Sequence, residues 1–134
     1  MKTEGLKHTF SKAEKLCSKT LISAIYQKGN KLKEYPFILN YMEVPEGYDV
    51  ASPVQIVVTV PKRRFKLAVK RNRLRRQIKE AYRLNKAPFI NAVKTGDKKV
   101  ALFLVYIGKE KESHLLMEKK IKVLLKRLEE KLAL

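Results

Sequence analysis

The stretch KRNRLRRQIKEAYR, Lys70–Arg83, carries seven cationic side chains in fourteen residues and a single acid, Glu80. Four apolar side chains recur within it at the period of an α-helix: Leu74, Ile78, Ala81 and Tyr82. The pattern predicts a helix that begins somewhere between residues 66 and 72 and ends before Pro88. We expect its apolar face to lie on a sheet, because a helix with one apolar stripe must bury that stripe against another layer.

The opposite side of this helix is cationic and almost free of acids. A helical wheel advancing about 100° per residue places five cations together: Arg75, Arg76, Lys79, Arg83 and Lys86. A merely solvated face usually carries acids one turn away from its cations, and here only Glu80 does so. Like charges at this spacing destabilise a helix unless an anion is bound. The face therefore predicts contact with a polyanion, and nucleic acid is the leading candidate.

Two neighbouring features leave alternatives open. Arg71 falls near the apolar stripe, so it either precedes the helix or is held by an acceptor, because burying an unpaired charge is costly. PKRRFK, Pro61–Lys66, is either a polar connection or a phosphate clamp at the helix entrance. In a clamp, the side chains of Lys62, Arg63 and Arg64 would join the backbone N–H groups.

The whole chain is strongly basic, and its arginines are concentrated in one region. It has 134 residues, with 31 Lys and Arg against 13 Asp and Glu and a net charge of +18. Seven of the eight arginines lie between Arg63 and Arg83, although the 23 lysines are spread along the chain. Arginine binds phosphate bidentately and stacks on bases, which solubility alone does not require. We predict one RNA-binding domain over residues 1–134, with residues 1–9 as a flexible extension; an anionic membrane surface is the second candidate partner.

The sequence predicts neither an active site nor a metal site built from protein side chains. His8, Cys17 and His114 lack metal-ligand spacing, and the basic third of the chain contains one carboxylate. The single cysteine suits a reducing cytoplasm, and MKTEGLKHTF at the start has no features of an export signal. No apolar run reaches the ~18 residues of a membrane span. We therefore expect a cytoplasmic protein without a bound cofactor.

The order of the expected elements indicates an α+β protein. Ser18 is the expected N-cap of a first helix that ends at Lys28 before Gly29, although Ser11-x-x-Glu14 is a competing capping box. Strands are expected at residues 30–34, 36–42, 54–60 and 100–107, and a last helix from about Ser113. Together with the basic helix, these elements predict a two-layer α+β sandwich.

The basic helix also resembles a known signature. RNRLRRQIKEAYR, residues 71–83, is similar to the motif R-N-R-x-K/R-R-x-x-R-E-x-F/Y-R of the bacterial ribonuclease P protein components. Other parts of that family are resembled by FSKAEKLCSK (10–19), IYQKGNKL (25–32), VTVPKRR (58–64) and VALFLVYIGK (100–109). The most specific part of the resemblance is the Arg-Asn-Arg helix that follows V-x-V-x-K-K/R.

The resemblance implies an α-β-β-β-α-β-α sandwich whose basic helix lies in a left-handed crossover, against the general right-handed rule. It also implies an RNA-binding subunit that assists a catalytic RNA in removing the 5′ leader from precursor tRNA. The RNA would perform the hydrolysis with Mg²⁺, so the protein would hold no catalytic residue and no cofactor. The implied partners are the ribonuclease P catalytic RNA and precursor tRNA, with no membrane and no obligate protein partner.

The resemblance assigns roles to the residues that match the family's motifs. The catalytic RNA is expected to contact Arg71, Asn72, Arg73, Arg76 and Arg83. The leader of precursor tRNA is expected to contact Ile22, Tyr26, Asn40, Lys62, Arg63, Arg75 and Lys79. Lys79 replaces the arginine usual in the family and loses its bidentate fork. Because Ile22 and Asn40 stand where aromatic residues are frequent, Tyr26 is the strongest candidate for stacking on a base.

Two other classes of protein are alternatives to an RNA-binding ribonuclease P subunit. A structural RNA-binding protein of ribosomal type, with no enzymatic role, is the alternative. A DNA-binding or membrane-surface protein fits less well, because the cations follow an α+β fold rather than a recognition-helix pair or an amphipathic anchor.

Overall fold

The computed structural model describes residues 14–16, 18–45 and 52–134. The flexible extension predicted for residues 1–9, the Ser11 capping residue, Cys17 and most of the acidic loop around residues 43–53 lie outside the described residues. Among the residues that the structure describes, no helix combines the length and apolarity that crossing a membrane requires.

The first helix, α1, spans Lys19–Lys28 and has the caps that the sequence predicts. The Ser18 hydroxyl accepts a hydrogen bond from the Leu21 N–H at 3.2 Å. At the other end, the Gly29 N–H donates to the Ile25 carbonyl at 2.8 Å. A Cβ at Gly29 would lie 2.4 Å from that carbonyl oxygen, so the close approach that ends the helix requires glycine.

Four strands form one sheet. They are β1 (Asn30–Glu34), β2 (Phe37–Glu43), β3 (Val54–Thr59) and β4 (Val100–Tyr106), in the order β1-β2-β4-β3. β2 is antiparallel to both β1 and β4, whereas β3 and β4 are parallel. Two helices therefore connect the parallel pair β3 and β4. The left-handed sense of this crossover stays a prediction.

The helices after β3 are α2 (Ala68–Asn85), α3 (Ala87–Thr95) and α4 (His114–Lys131). The α+β class and a last helix from about Ser113 are confirmed, and the Ser113 hydroxyl caps that helix by accepting from the Leu116 N–H. The expected α-β-β-β-α-β-α order lacks α3, so that detail needs correction. The basic helix ends before Pro88 as predicted, and Pro88 lies in the first turn of α3. Proline fits there because first-turn N–H groups have no partner within a helix.

The two-layer expectation also needs correction, because helices cover both faces of the sheet. One face packs against α2, α3 and α4 through residues such as Phe37 and Leu102. The other face packs against α1, with Ile25 and Phe103 in its core. The physical reason is that the central strand β4 has buried apolar side chains on both faces, and each face needs its own cover.

Candidate nucleic-acid interface

The apolar face of α2 lies where the sequence predicts. Leu74, Ile78, Ala81 and Tyr82 are all buried in the core between the sheet and the helices. Burial raises the pKa of the Tyr82 hydroxyl far above its ordinary value, so Tyr82 stays neutral. The cationic side chains of the helix are thereby directed away from the sheet.

Lys86 corrects the expected cationic face. Its ammonium group donates to the carboxylate of Glu14, and both residues are buried. Lys86 follows α2 directly with α-helical backbone angles, and its pairing with Glu14 removes it from the exposed cationic surface. The partner carboxylate comes from the chain segment before α1, a contact between residues 72 positions apart.

Four of the cations within α2 form two strips with different neighbours. The first strip contains Arg75 and Lys79 together with Lys15. We call it the strap-side strip, because Lys15 belongs to the chain segment before α1, which runs as a strap along β3. Lys15 pairs with Ile56 in a parallel bridge along β3, and the adjacent Leu16 N–H donates to the Ile56 carbonyl at 3.0 Å. Burial, followed by the charges of Lys15 and Arg75, lowers the pKa of Lys79. A bound anion would relieve this repulsion.

The second strip, the α4-side strip, contains Arg73 and Arg76. Both are exposed, and they line a shallow groove with Gln77, Glu80 and His114, the first residue of α4. Arg73 and Arg76 are expected contacts of the catalytic RNA, and the structure brings them together. Arg73 and Arg75 lie about 160° apart around the helix axis, whereas Arg76 and Lys79, three residues apart, lie on adjoining sides.

The Arg-Asn part of the signature makes contacts within the protein. Arg71 lies inside α2, and its Nη1 donates to the carbonyls of Phe65 and Lys66, both at 2.8 Å. Its position near the apolar stripe predicted that an acceptor would hold it. The acceptors are these two backbone carbonyls of the connection before α2. Asn72 accepts a hydrogen bond from Arg75 Nη1 through Oδ1 at 2.7 Å. Contact of Arg71 and Asn72 with RNA stays a prediction.

Arg83 is paired with the one acid of the helix. Its Nε and Nη2 donate to the two carboxylate oxygens of Glu80 at 2.9 and 2.6 Å. This hydrogen-bonded pair raises the pKa of Arg83 and lowers that of Glu80. A phosphate would have to compete with this carboxylate for Arg83, whereas the structure shows no carboxylate pairing for the described Arg73 or Arg76.

Tyr26 is presented to solvent on α1. Its side chain is 63% exposed, and its ring meets that of Phe103 edge-on, with the centroids 5.1 Å apart. Ile22, one turn earlier, is half-buried against the α1 core. The exposure favours a stacking platform over the alternative of a core residue. The sequence analysis did not indicate Phe103. Because successive side chains of a strand point to opposite faces of the sheet, its position in β4 could have placed it on the same face as α1.

Asn40 lies beneath this surface rather than on it. It is 5% exposed, faces Phe103 across the β2–β4 ladder, and donates through Nδ2 to the Phe103 carbonyl at 3.3 Å. The geometry makes Asn40 part of the support for the Tyr26–Phe103 pair. Its direct contact with a leader stays a prediction.

The expected phosphate clamp lies directly after β3. Lys62 and Arg63 are exposed, and Arg63 and Arg64 line a groove with Lys109 from the segment between β4 and α4. The sequence did not predict Lys109 as part of this site, because 45 residues separate it from Arg64 in the chain. Within the described ranges, no cluster of three or more His, Cys, Asp or Glu side chains could hold a metal ion.

Comparisons with known proteins agree with this arrangement. The family model for ribonuclease P matches residues 10–129. A ribonuclease P protein component of Porphyromonas gingivalis is 40% identical over 76 residues, which are 57% of this chain and 54% of the relative. The match thus spans about half the length of that relative. The component of Chlorobaculum tepidum is 31% identical over 111 residues, covering 79% of this chain and 72% of the relative.

Solved structures share the fold. The ribonuclease P protein of Staphylococcus aureus superposes with a TM-score of 0.64 at 17% identity, covering 87% of this chain and 96% of that one. The protein from Thermotoga maritima gives a TM-score of 0.62 at 23% identity, covering 85% and 96%. With the family match over nearly the whole chain and the cationic helix in place, this chain belongs to the ribonuclease P protein family.

Proposed function

We propose that this protein is the RNA-binding subunit of ribonuclease P. It assists a catalytic RNA in the endonucleolytic removal of the 5′ leader from precursor tRNA. The observation that carries the proposal is the presence of two cationic strips on α2, one beside Lys15 and the other beside His114 of α4. A protein that bridges two RNAs needs two such surfaces, and a charged face required only for solubility needs neither.

The two surfaces have different tasks in this proposal. The α4-side strip, with Arg73 and Arg76, binds the catalytic RNA. The leader lies along Tyr26, the strap-side strip and the clamp at Lys62 and Arg63. Stacking on Tyr26 supplies contact with any base, and the cations follow the phosphate backbone.

Hydrolysis belongs to the RNA subunit and its Mg²⁺ ions in this proposal. The protein contributes affinity for the leader and neutralises phosphate repulsion in the assembled particle. The expected partners are therefore the catalytic RNA and precursor tRNA in the cytoplasm, without an obligate protein partner. Family membership argues against the alternative of a structural protein of ribosomal type.

Reconstitution tests the proposal. The purified protein is mixed with a bacterial ribonuclease P RNA and a precursor tRNA at a Mg²⁺ concentration where the RNA alone is slow. Release of the 5′ leader should accelerate with added protein, and the protein alone should cleave nothing. Unchanged cleavage across a range of protein concentrations, despite a folded protein, would contradict the proposed function.

A further inference from the structure

A pocket of about 470 Å³ lies where α2 begins, against the segment that joins β4 to α4. We call it the α2-entry pocket. Its apolar surface comes from Phe65, Leu67 and Leu74. Leu74 is buried, whereas Leu67 is 61% exposed at the rim and Phe65 is half-buried with its ring 5.9 Å from that of Tyr106. The volume lies within the roughly 300–1,000 Å³ typical of small-ligand pockets.

The rim of the α2-entry pocket is cationic. One acid, Glu110, and six cations line it. The cations are Arg64, Lys66, Lys70, Arg73, Lys109 and Lys111. The Nε of Arg64 is buried without a hydrogen-bond partner among the described residues. An anionic ligand is therefore favoured electrostatically, and no carboxylate of the described chain pairs with these six cations.

Both walls of the pocket are held in place from within. On one side, Arg71 binds the carbonyls of Phe65 and Lys66 and so shapes the connection before α2. On the other, the Tyr106 hydroxyl donates to the Glu110 carbonyl at 2.5 Å and accepts from the Glu112 N–H at 3.1 Å. A Cβ at Gly108 would lie 2.7 Å from the Tyr106 hydroxyl oxygen, so the segment wraps closely around that ring. The pocket is preorganised, which lowers the entropic cost of binding.

We propose that the α2-entry pocket binds a single unpaired nucleotide of the RNA subunit. The base lies against Phe65 and Leu67, and the flanking phosphates contact the cationic rim. A bare phosphate would make no use of the apolar surface, and an apolar ligand would make no use of six cations. Aromatic and apolar surface beside a cationic path is the combination that binds unstacked nucleotides.

The position of the pocket favours the RNA subunit over the leader as the source of this nucleotide. Arg73 lines both the pocket and the groove of the α4-side strip. Phe65 and Leu74 pack with the core on the α2–α4 face of the sheet, whereas Phe103 beneath Tyr26 packs with the α1 core. This assignment of the source rests on the proposed function.

Nucleotide binding can be measured with defined probes and the full chain. Adenosine 5′-monophosphate should shift the NMR signals of the Leu67 and Leu74 methyl groups, and ribose 5-phosphate should shift them far less. Lys111→Ala should weaken the binding of both probes. Equal methyl shifts from the two probes, or no shift from either, would overturn the base-binding role.

Leu67→Ala tests the pocket in the assembled particle. The exposed side chain contributes little to the core, so the variant should fold, while its affinity for the RNA subunit should fall roughly three- to tenfold. Leu67→Met should restore most of that affinity. Val69→Ala is the matched control, because Val69 is 69% exposed in the same turn of α2 but does not line the pocket.

The outcomes separate this inference from the proposed function. If the parent protein accelerates leader removal while Leu67→Ala binds the RNA subunit as tightly as Val69→Ala, the pocket assignment is wrong and the function stands. If Leu67→Ala instead weakens the leader-dependent part of precursor binding, the RNA-subunit source is wrong. The parent protein could also fail to accelerate cleavage while adenosine 5′-monophosphate still shifts the NMR signals of the Leu67 methyl groups. In that case the proposed function is wrong and the assignment of a nucleotide-binding pocket stands.

Discussion

The two cationic strips of α2 carry similar charges in different surroundings. On the strap side, Lys79 is partly buried between the cations Lys15 and Arg75, and its pKa is lowered as a result. On the α4 side, Arg73 and Arg76 are exposed and border the α2-entry pocket or the groove beside His114. Arginine on the open side suits bidentate contact with folded RNA. Close-set cations on the strap side suit the phosphate backbone of a flexible strand. Total charge predicts contact with a polyanion, and the proposal of two RNA partners rests on the placement of the charges.

The largest expected effect comes from breaking the buried ion pair that positions the strap-side strip. Lys86→Ala leaves the Glu14 carboxylate buried without this ammonium partner, and the free energy of unfolding should fall by about 3–5 kcal/mol in urea denaturation. Because Lys15 adjoins Glu14, binding of leader-bearing precursor should suffer more than binding of the RNA subunit. Lys126→Ala on the exposed side of α4 is the control. Equal losses for both RNAs would show that the ion pair does not act on one strip.

Removing the α4-side strip should have the next largest effect. The double variant Arg73→Ala/Arg76→Ala should lower affinity for the RNA subunit by at least about tenfold, and the slope of log affinity against log salt should fall by about 1–2. Filter binding at several salt concentrations measures both quantities. The matched control is Lys122→Ala/Lys126→Ala on α4, which removes the same charge elsewhere. Unchanged affinity in the Arg73/Arg76 variant would mean that this strip faces away from the RNA.

Tyr26→Ala tests the surface that is proposed to bind the leader. Loss of stacking should weaken binding of leader-bearing precursor tRNA by about 1–3 kcal/mol and leave mature tRNA nearly unaffected. The measurement is holoenzyme affinity for the two tRNA forms. Leu115→Ala, which trims an exposed apolar side chain on α4, should change neither affinity. Equal weakening on precursor and mature tRNA would indicate a structural role for Tyr26 with Phe103.

The smallest expected effect is a gain. Lys79→Arg restores the planar fork usual in the family and should strengthen precursor binding by about twofold, because a guanidinium binds phosphate bidentately. Affinity for the RNA subunit should not change, since Lys79 lies on the strap side. A gain in subunit affinity without a gain in precursor affinity would reverse the assignment of the two strips.

Local sequence patterns predicted the parts of the fold that depend on neighbours in the chain. The 3.6-residue period predicted the buried face of α2, and Ser18 was predicted as an N-cap because a serine hydroxyl can accept from an N–H group three residues ahead. The end of α2 before Pro88 was predicted, but α3 was missed, because proline is equally compatible with an irregular segment and with the first turn of a new helix.

The candidate site was predictable in composition but only partly in arrangement. The charge pattern and the family signature indicated Arg73, Arg76 and Lys79 as contacts for RNA. Periodicity did not predict the burial of Lys86 against Glu14 or of Asn40 beneath Phe103, because each contact joins residues more than sixty positions apart.

By itself, the sequence determined a basic amphipathic helix in an α+β protein with the signature of one RNA-binding family, because these properties follow from residue type and short-range spacing. Only the tertiary structure decided which cations face which side, since burial of the apolar face of α2 orients the whole helix against the sheet. It also brought Lys15 to Lys79 and Lys109 to Arg64, which come from distant parts of the chain. Lys15 and His114, from segments distant in the chain, border different cations of α2 and so divide one run of charge into two surfaces.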